Sequence, residues 1–278
     1  MRQTSTVVFC AVDSLVPVRG RVSSGFDEFC LALEHAGVPM VWVTARSRAQ
    51  MDEPIRKWGH RHPFIGEGGC GDYLPEGYFH LRAESSVRMG RFTCIPVAKA
   101  QPAAAEALEE LSEQSRVPVV TLKSLSPREL AQNLGLPARE AEAARQRDFD
   151  QPFFFAGASE NDTIRFQELA QLRRLTLRQQ GVLWSLAVGA NLRQSVRELT
   201  NLYERALRFR PAAVAVATPA ESQELFPVCD RHVLLRQDPA AKSTSSTDLL
   251  RPRTREHSLA DPDVWEHVLA EVVGKQRN

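Results

Sequence analysis

The chain has 278 residues, 43% of them hydrophobic and 25% charged, with a formal net charge of +1 at pH 7. That is enough chain for one large domain or two modest ones, and its near-neutral balance gives no electrostatic case for nucleic acid or an acidic membrane surface. No apolar run approaches the ~20 residues that a bilayer span needs.

The opening MRQTST leads into only a short apolar run and does not read as a signal peptide. The five cysteines are scattered, odd in number and without a CxxC pair. They predict free thiols in a reducing cytoplasm, not a disulfide frame or a structural zinc site.

Residues 6–12, TVVFCAV, predict a buried strand that ends on Asp13. In 24–36 the apolar residues Phe26, Phe29, Cys30 and Leu33 recur at helical spacing, with Ser24 as a candidate N-cap and Gly37 as the stop. VPMVWVT (38–44) predicts the next buried strand. Strand, helix and strand with short joins make a right-handed parallel unit. Ligands of such sheets sit beyond the carboxyl ends of the strands, where Asp13 and Thr44 fall.

A second helix is expected at about 48–58, followed by a glycine-rich stretch (62–79) with short strand pieces. Its run Gly66, Gly68, Gly69, Gly71 does not follow a strand and open a helix as a phosphate loop does, so a tight turn is expected. The middle of the chain alternates strands at 92–97, 117–122 and 152–157 with helices at 102–114, 126–134, 137–147 and 160–173. VLWSLAV (182–188), AAVAVA (212–217) and HVLLR (232–236) predict a return to the first style, with helices at 194–208 and 219–226. Residues 237–260 are polar and loop-like, and 261–273 predict a closing helix with Pro262 in its first turn. Trp184 and Trp265 are expected in the core, and the seven histidines form no metal-binding pattern. The expected fold class is α/β, a Rossmann-like core of parallel sheet and flanking helices (1–85 and 182–278) with an inserted α/β cap (86–181). A small-molecule site is expected in the cleft between them.

Five stretches, taken in order, resemble one family. VVFCAVDSLV stands where that family has a strand ending in D-x-D-G-T. VWVTARSRAQ, PFIGEGGCGDYLPEGYF, LGLPAREAEAARQRDFDQPFFF and DPDVWEHVL resemble four later segments. The family is the mannosyl-3-phosphoglycerate phosphatases of the haloacid dehalogenase (HAD) superfamily. The resemblance implies a Rossmann-like core with a cap, and a Mg²⁺-dependent phosphomonoester hydrolase. In such an enzyme one Asp attacks phosphorus, the Asp two places on is the acid and base, and a Lys and later acidic residues complete the site.

Several of those positions depart from the pattern. The nucleophile position is Ala11, and Asp13 retains the acid/base position. Thr44 keeps the phosphate-binding position, with Arg46 and Ser47 beside it as candidate anion contacts. The lysine position is Gln194, next to Arg193, itself a candidate anion contact, and no lysine occurs from 124 to 241. Thr218 and Ser222 stand where the metal loop has aspartates, so no metal ligand set and no cofactor are expected. Glu67 is retained where the family's following Asn is Gly68, and Arg147 is a candidate for the cap side of the cleft.

The resemblance with these departures implies a non-catalytic, cytoplasmic pseudophosphatase. It would bind or regulate through a sugar-phosphate or phosphoglycerate-like anion, or through a protein partner. The alternative is an active phosphatase that makes mannosylglycerate by a rearranged route, with Asp13 as base and Glu221 or Glu224 holding a metal. The sequence sets no oligomeric state.

Overall fold

A computed structural model describes residues 6–16, 23–80, 85–237 and 254–273. Strand β1 (Thr6–Ala11) lies at the centre of a nine-stranded sheet. Its side chains alternate between two apolar layers, as the strand period requires. Val8, Cys10 and Val12 join Phe26, Trp42 and Trp265 in one layer, while Val7, Phe9 and Ala11 join Leu199 and Tyr203 in the other. No residue of β1 is more than 3% exposed, which is why the segment reads as a continuous apolar run and not as an alternating one.

Helix α1 (Phe26–Ala36) returns the chain to β2 (Met40–Val43), and α2 (Arg48–Lys57) returns it to β3 (Phe64–Gly66). Both crossovers give parallel neighbours, with Phe9 beside Val41 and Trp42 beside Phe64. Gly25 rather than Ser24 is the N-cap of α1, and Gly37 ends the helix with φ 68°, a left-handed conformation that costs glycine little. On the other side of β1 run the parallel strands β11 (Ala212–Ala217), β12 (Arg231–Arg236) and β13 (Thr254–Ser258). The polar 237–260 stretch therefore contains a sheet-edge strand where a loop was expected. Its pairing to β12 outweighs a polar composition that suits an edge. The rest of that stretch, 238–253, lies outside the described residues.

The sheet continues through antiparallel strands β4 (Gly71–Pro75), β6 (Phe92–Pro96) and β5 (Val87–Met89). The glycine run is the turn from β3 to β4, with Gly68 and Gly69 at φ 64° and 91°. A second sheet has the order β7 (Val119–Thr121), β8 (Gln151–Phe155), β10 (Leu183–Val188) and β9 (Leu175–Gln180), all antiparallel. Helices α3 (Gln101–Ser115) and α6 (Glu160–Leu172) share an apolar cluster with it. Helices α4 (Pro127–Leu134) and α5 (Ala138–Arg145) form a smaller cluster with Phe154 and Leu183.

Sheet membership departs from the expected limits at 86 and 181. Residues 87–96 stay with the large sheet. VLWSLAV, expected as a returning core strand, forms a hairpin with β9. Gln180 pairs with Leu183 across a turn whose first residue, Gly181, has φ 60°. Positive φ at that place is the signature of a tight hairpin turn. The chain then enters α7 (Leu192–Leu207) through its N-cap Asn191, and α8 (Pro219–Leu225) follows β11. Helix α9 (Val264–Val273) closes the chain, with Trp265 4% exposed in the core.

Candidate functional site

The parallel strands β1, β2 and β11 end side by side, and the loops after them carry Asp13, Thr44 and Thr218. Asp13 sits two residues past the end of β1. Its Oδ1 accepts the Thr44 hydroxyl at 2.5 Å and its Oδ2 accepts the Ala45 amide at 2.8 Å. Arg46 Nε lies 3.4 Å from Oδ1, and the same guanidinium donates to the Val16 carbonyl at 2.5 Å. A fourth partner comes from the cap, where Gln180 Nε2 is 3.4 Å from Oδ2. The retained carboxylate, threonine and arginine of the sequence reading thus meet, and they are bonded to one another.

Ala11 is 2% exposed and shares an apolar cluster with Phe9, Val43 and Ala217. Its methyl offers neither a nucleophile nor a ligand. Thr218 and Ser222 hold the start of α8. The Thr218 hydroxyl donates to Glu221 Oε2 at 2.6 Å, and the Ser222 hydroxyl donates to the Pro219 carbonyl at 3.0 Å. Glu221 also accepts the Thr218 amide and the Ser14 hydroxyl. Burial pushes the Glu221 carboxyl up from its ordinary value, and the nearby Asp13 charge adds to the push.

Mg²⁺ is bound near 2.1 Å in octahedral geometry by oxygen donors, carboxylates foremost. The strand ends offer it two carboxylates, and Glu221 is committed to capping α8. Among the described residues no three His, Cys, Asp or Glu side chains gather where one ion could take them all. This donor set does not fit the metal that the family resemblance implies.

The remaining expected contacts separate. Ser47 caps α2, accepting the Gln50 amide at 3.3 Å, and donates to the Ala143 carbonyl of the cap at 3.0 Å. Glu67, expected beside a ligand, is instead fully buried under the start of β8. Its two oxygens accept the amides of Asp148, Phe149 and Asp150 at 2.8–2.9 Å. Burial pushes its carboxyl up, while Arg147 and those amides pull it back. Arg147 is spent on Asp150, at 2.5 and 2.7 Å, and on the Ala45 carbonyl. Arg193 is exposed in the first turn of α7, and no hydrogen bond or ion pair holds it among the described residues.

Between core and cap lies a cleft of about 270 Å³, lined by Asp13 and Arg46 of the core and by Arg147, Arg178, Gln180 and Trp184 of the cap. Thr44, Ser47, Glu67 and Arg193 do not line it. The sequence reading missed Arg178 and Gln180. Their signal was the hairpin turn at Gly181, which puts alternate residues of β9 on one face. A larger groove, about 570 Å³, lies between α1 and the α2–β3 loop, at the opposite end of the strands.

No protein-family model matches the chain. It is 22% identical over 246 residues to a glucosyl-3-phosphoglycerate/mannosyl-3-phosphoglycerate phosphatase of Methanococcoides burtonii, covering 88% of this chain and 89% of that one. A protein of the same description from Persephonella marina is 24% identical over 141 residues, half of each chain. Among solved structures, a HAD phosphatase of Bacteroides thetaiotaomicron superposes with a TM-score of 0.64 at 14% identity, over 98% of this chain and 97% of that one. A sugar phosphatase of HAD subclass IIB superposes at 0.62 and 14%, over 97% and 100%. The chain thus has the core-and-cap fold of the HAD-superfamily phosphatases, and its sequence is similar to those of the mannosyl-3-phosphoglycerate phosphatases.

Proposed function

We propose that this chain is a non-catalytic relative of those phosphatases and acts by binding in the cleft between core and cap. One observation carries the reading. The strand end where phosphoryl transfer would begin presents the packed Ala11 methyl, and its neighbour Asp13 is already bonded to Thr44, Ala45 and Arg46. Removing a nucleophile removes the chemical route, which costs orders of magnitude in rate. The favoured ligand is a small sugar-phosphate or phosphoglycerate-like anion. Arg46, Arg147 and Arg178 line the cleft, each beside a carboxylate partner (Asp13, Asp150 and Glu224), and the relatives' names supply that substrate class.

Two measurements test this. Phosphate release from mannosyl-3-phosphoglycerate with Mg²⁺ present is expected to stay at background. Turnover abolished by Asp13→Asn would overturn the reading. Titration calorimetry with mannosyl-3-phosphoglycerate, 3-phosphoglycerate and phosphate is expected to give heat with one of the organic anions. No heat with any of them removes the small-anion ligand and leaves a protein partner.

A further inference from the structure

We infer that Arg178 and Gln180 form a latch that holds the cap shut on the core without a ligand. Strand β9 puts alternate side chains on one face, and residues 176, 178 and 180 all reach the core. The Thr176 hydroxyl donates to the Ala190 carbonyl at 3.4 Å, Arg178 Nη2 to Glu224 Oε2 of α8 at 2.9 Å, and Gln180 to Asp13. The Arg178 guanidinium has a fitted seat on the β3–β4 turn. A Cβ added to Gly68 would lie 2.5–2.8 Å from its atoms. The seat therefore exists because residue 68 has no side chain, and the Gly68 amide ties it to the Thr44 carbonyl at 2.9 Å.

Position along the hairpin makes these contacts a latch. The cap is rooted at its linkers, where the Lys99 amide meets the Val188 carbonyl at 2.9 Å, and at the Glu67 bonds to 148–150. Gln180 pairs with Leu183, the far end of a strand that reaches its linker at Val188, about 17 Å away at 3.3 Å per residue. A rotation about the root moves that end most. The Glu224 side chain is 54% exposed, so its ion pair is weak and sensitive to salt. The latch is therefore one that a ligand or salt can release. This inference concerns domain closure and stands whether or not the chain turns over a phosphate ester.

Pulsed electron paramagnetic resonance tests it. Spin labels would sit at the exposed positions Gln167 of the cap and Arg205 of the core, with the partly exposed Cys30 and Cys229 changed to serine. The ligand-free protein is expected to show a single short distance. Glu224→Gln frees the arginine from α8, and Gly68→Asn fills its seat while tolerating positive φ. Each is expected to bring up a longer-distance population that the parent lacks, as loss of an exposed ion pair allows, and salt is expected to do the same to the parent protein. Thermal melts identify a variant that has lost its fold, in which case the salt series decides. Folded variants with the parent distribution would overturn the latch. So would a parent that already populates both distances, or one indifferent to salt.

Discussion

The Thr44 hydroxyl donates to Asp13 Oδ1 at 2.5 Å and so joins the ends of β1 and β2. With the Ala45 amide and Arg46 on the same carboxylate, Asp13 is a structural anion at the centre of a polar knot. Removing it strands Arg46, which is 8% exposed. Asp13→Ala is expected to cost about 2 kcal/mol, discounted because the carboxylate is partly solvated. Urea denaturation measures it, and an unchanged midpoint would mean that the knot contributes nothing.

Placing a carboxylate at the strand end is expected to be costly by itself. Ala11→Asp puts a charge into an apolar cluster, at a site 2% exposed and near Asp13. The expected loss is at least about 3 kcal/mol, read from the same denaturation curves. Full stability with two ionised carboxylates would show a roomier, wetter pocket than the packing implies.

Glu67 makes the tightest polar junction between core and cap, with three amides at 2.8–2.9 Å and Arg147 at 3.9 Å. Glu67→Gln removes the charge and turns a donor toward those amides. A loss of about 3–5 kcal/mol is expected, with calorimetry showing the two halves unfolding separately. A single transition at the parent temperature would disprove the clamp.

Asp72 gives a pH signature. Its side chain is fully buried on β4, where the Ser195 hydroxyl faces it and pulls its pKa down only in part. Burial pushes its pKa up to about 7 from an ordinary 3.8. From about pH 4 to 7 the unfolded chain is ionised and the folded one protonated, so stability falls as pH rises through that window. It levels off above pH 7, where the whole penalty is present. Three pH units at 1.36 kcal/mol each set a ceiling of about 4 kcal/mol. In Asp72→Asn, denaturation at pH 4 and pH 8 is expected to lose this difference. A slope that persists must come from another group.

The sequence made the core legible because its strands are buried on both faces. β1, β2 and β11 appear as uninterrupted apolar runs, and Gly37 punctuates the helix between the first two. Two segments were misread, one as a loop and one as a strand of the wrong sheet. β13 is polar because it lies on the sheet edge, so composition pointed to a loop. β10 carries the same apolar pattern as a core strand, and only Gly181 marks the turn that pairs it with β9. The cluster of Asp13, Thr44 and Arg46 was legible because its members close a local stretch of β1 and β2. Glu67 was misplaced because its partners are backbone amides 81–83 residues away, which leave no trace in side-chain identity. Arg178 was missed for a related reason: its seat is a missing side chain at Gly68.

The two linkers of the cap lie side by side, with the Lys99 amide bonded to the Val188 carbonyl and the Val97 and Ala98 amides both bonded to the Cys70 carbonyl. The small domain thus enters and leaves the host sheet at one point. An insertion whose ends are neighbours can be exchanged or removed without opening the host. In this architecture the barrel of the lock and its key can evolve separately. Changes in α3 through β10 reshape what the cleft admits, while the ends of β1, β2 and β11 remain under the constraints of the core alone.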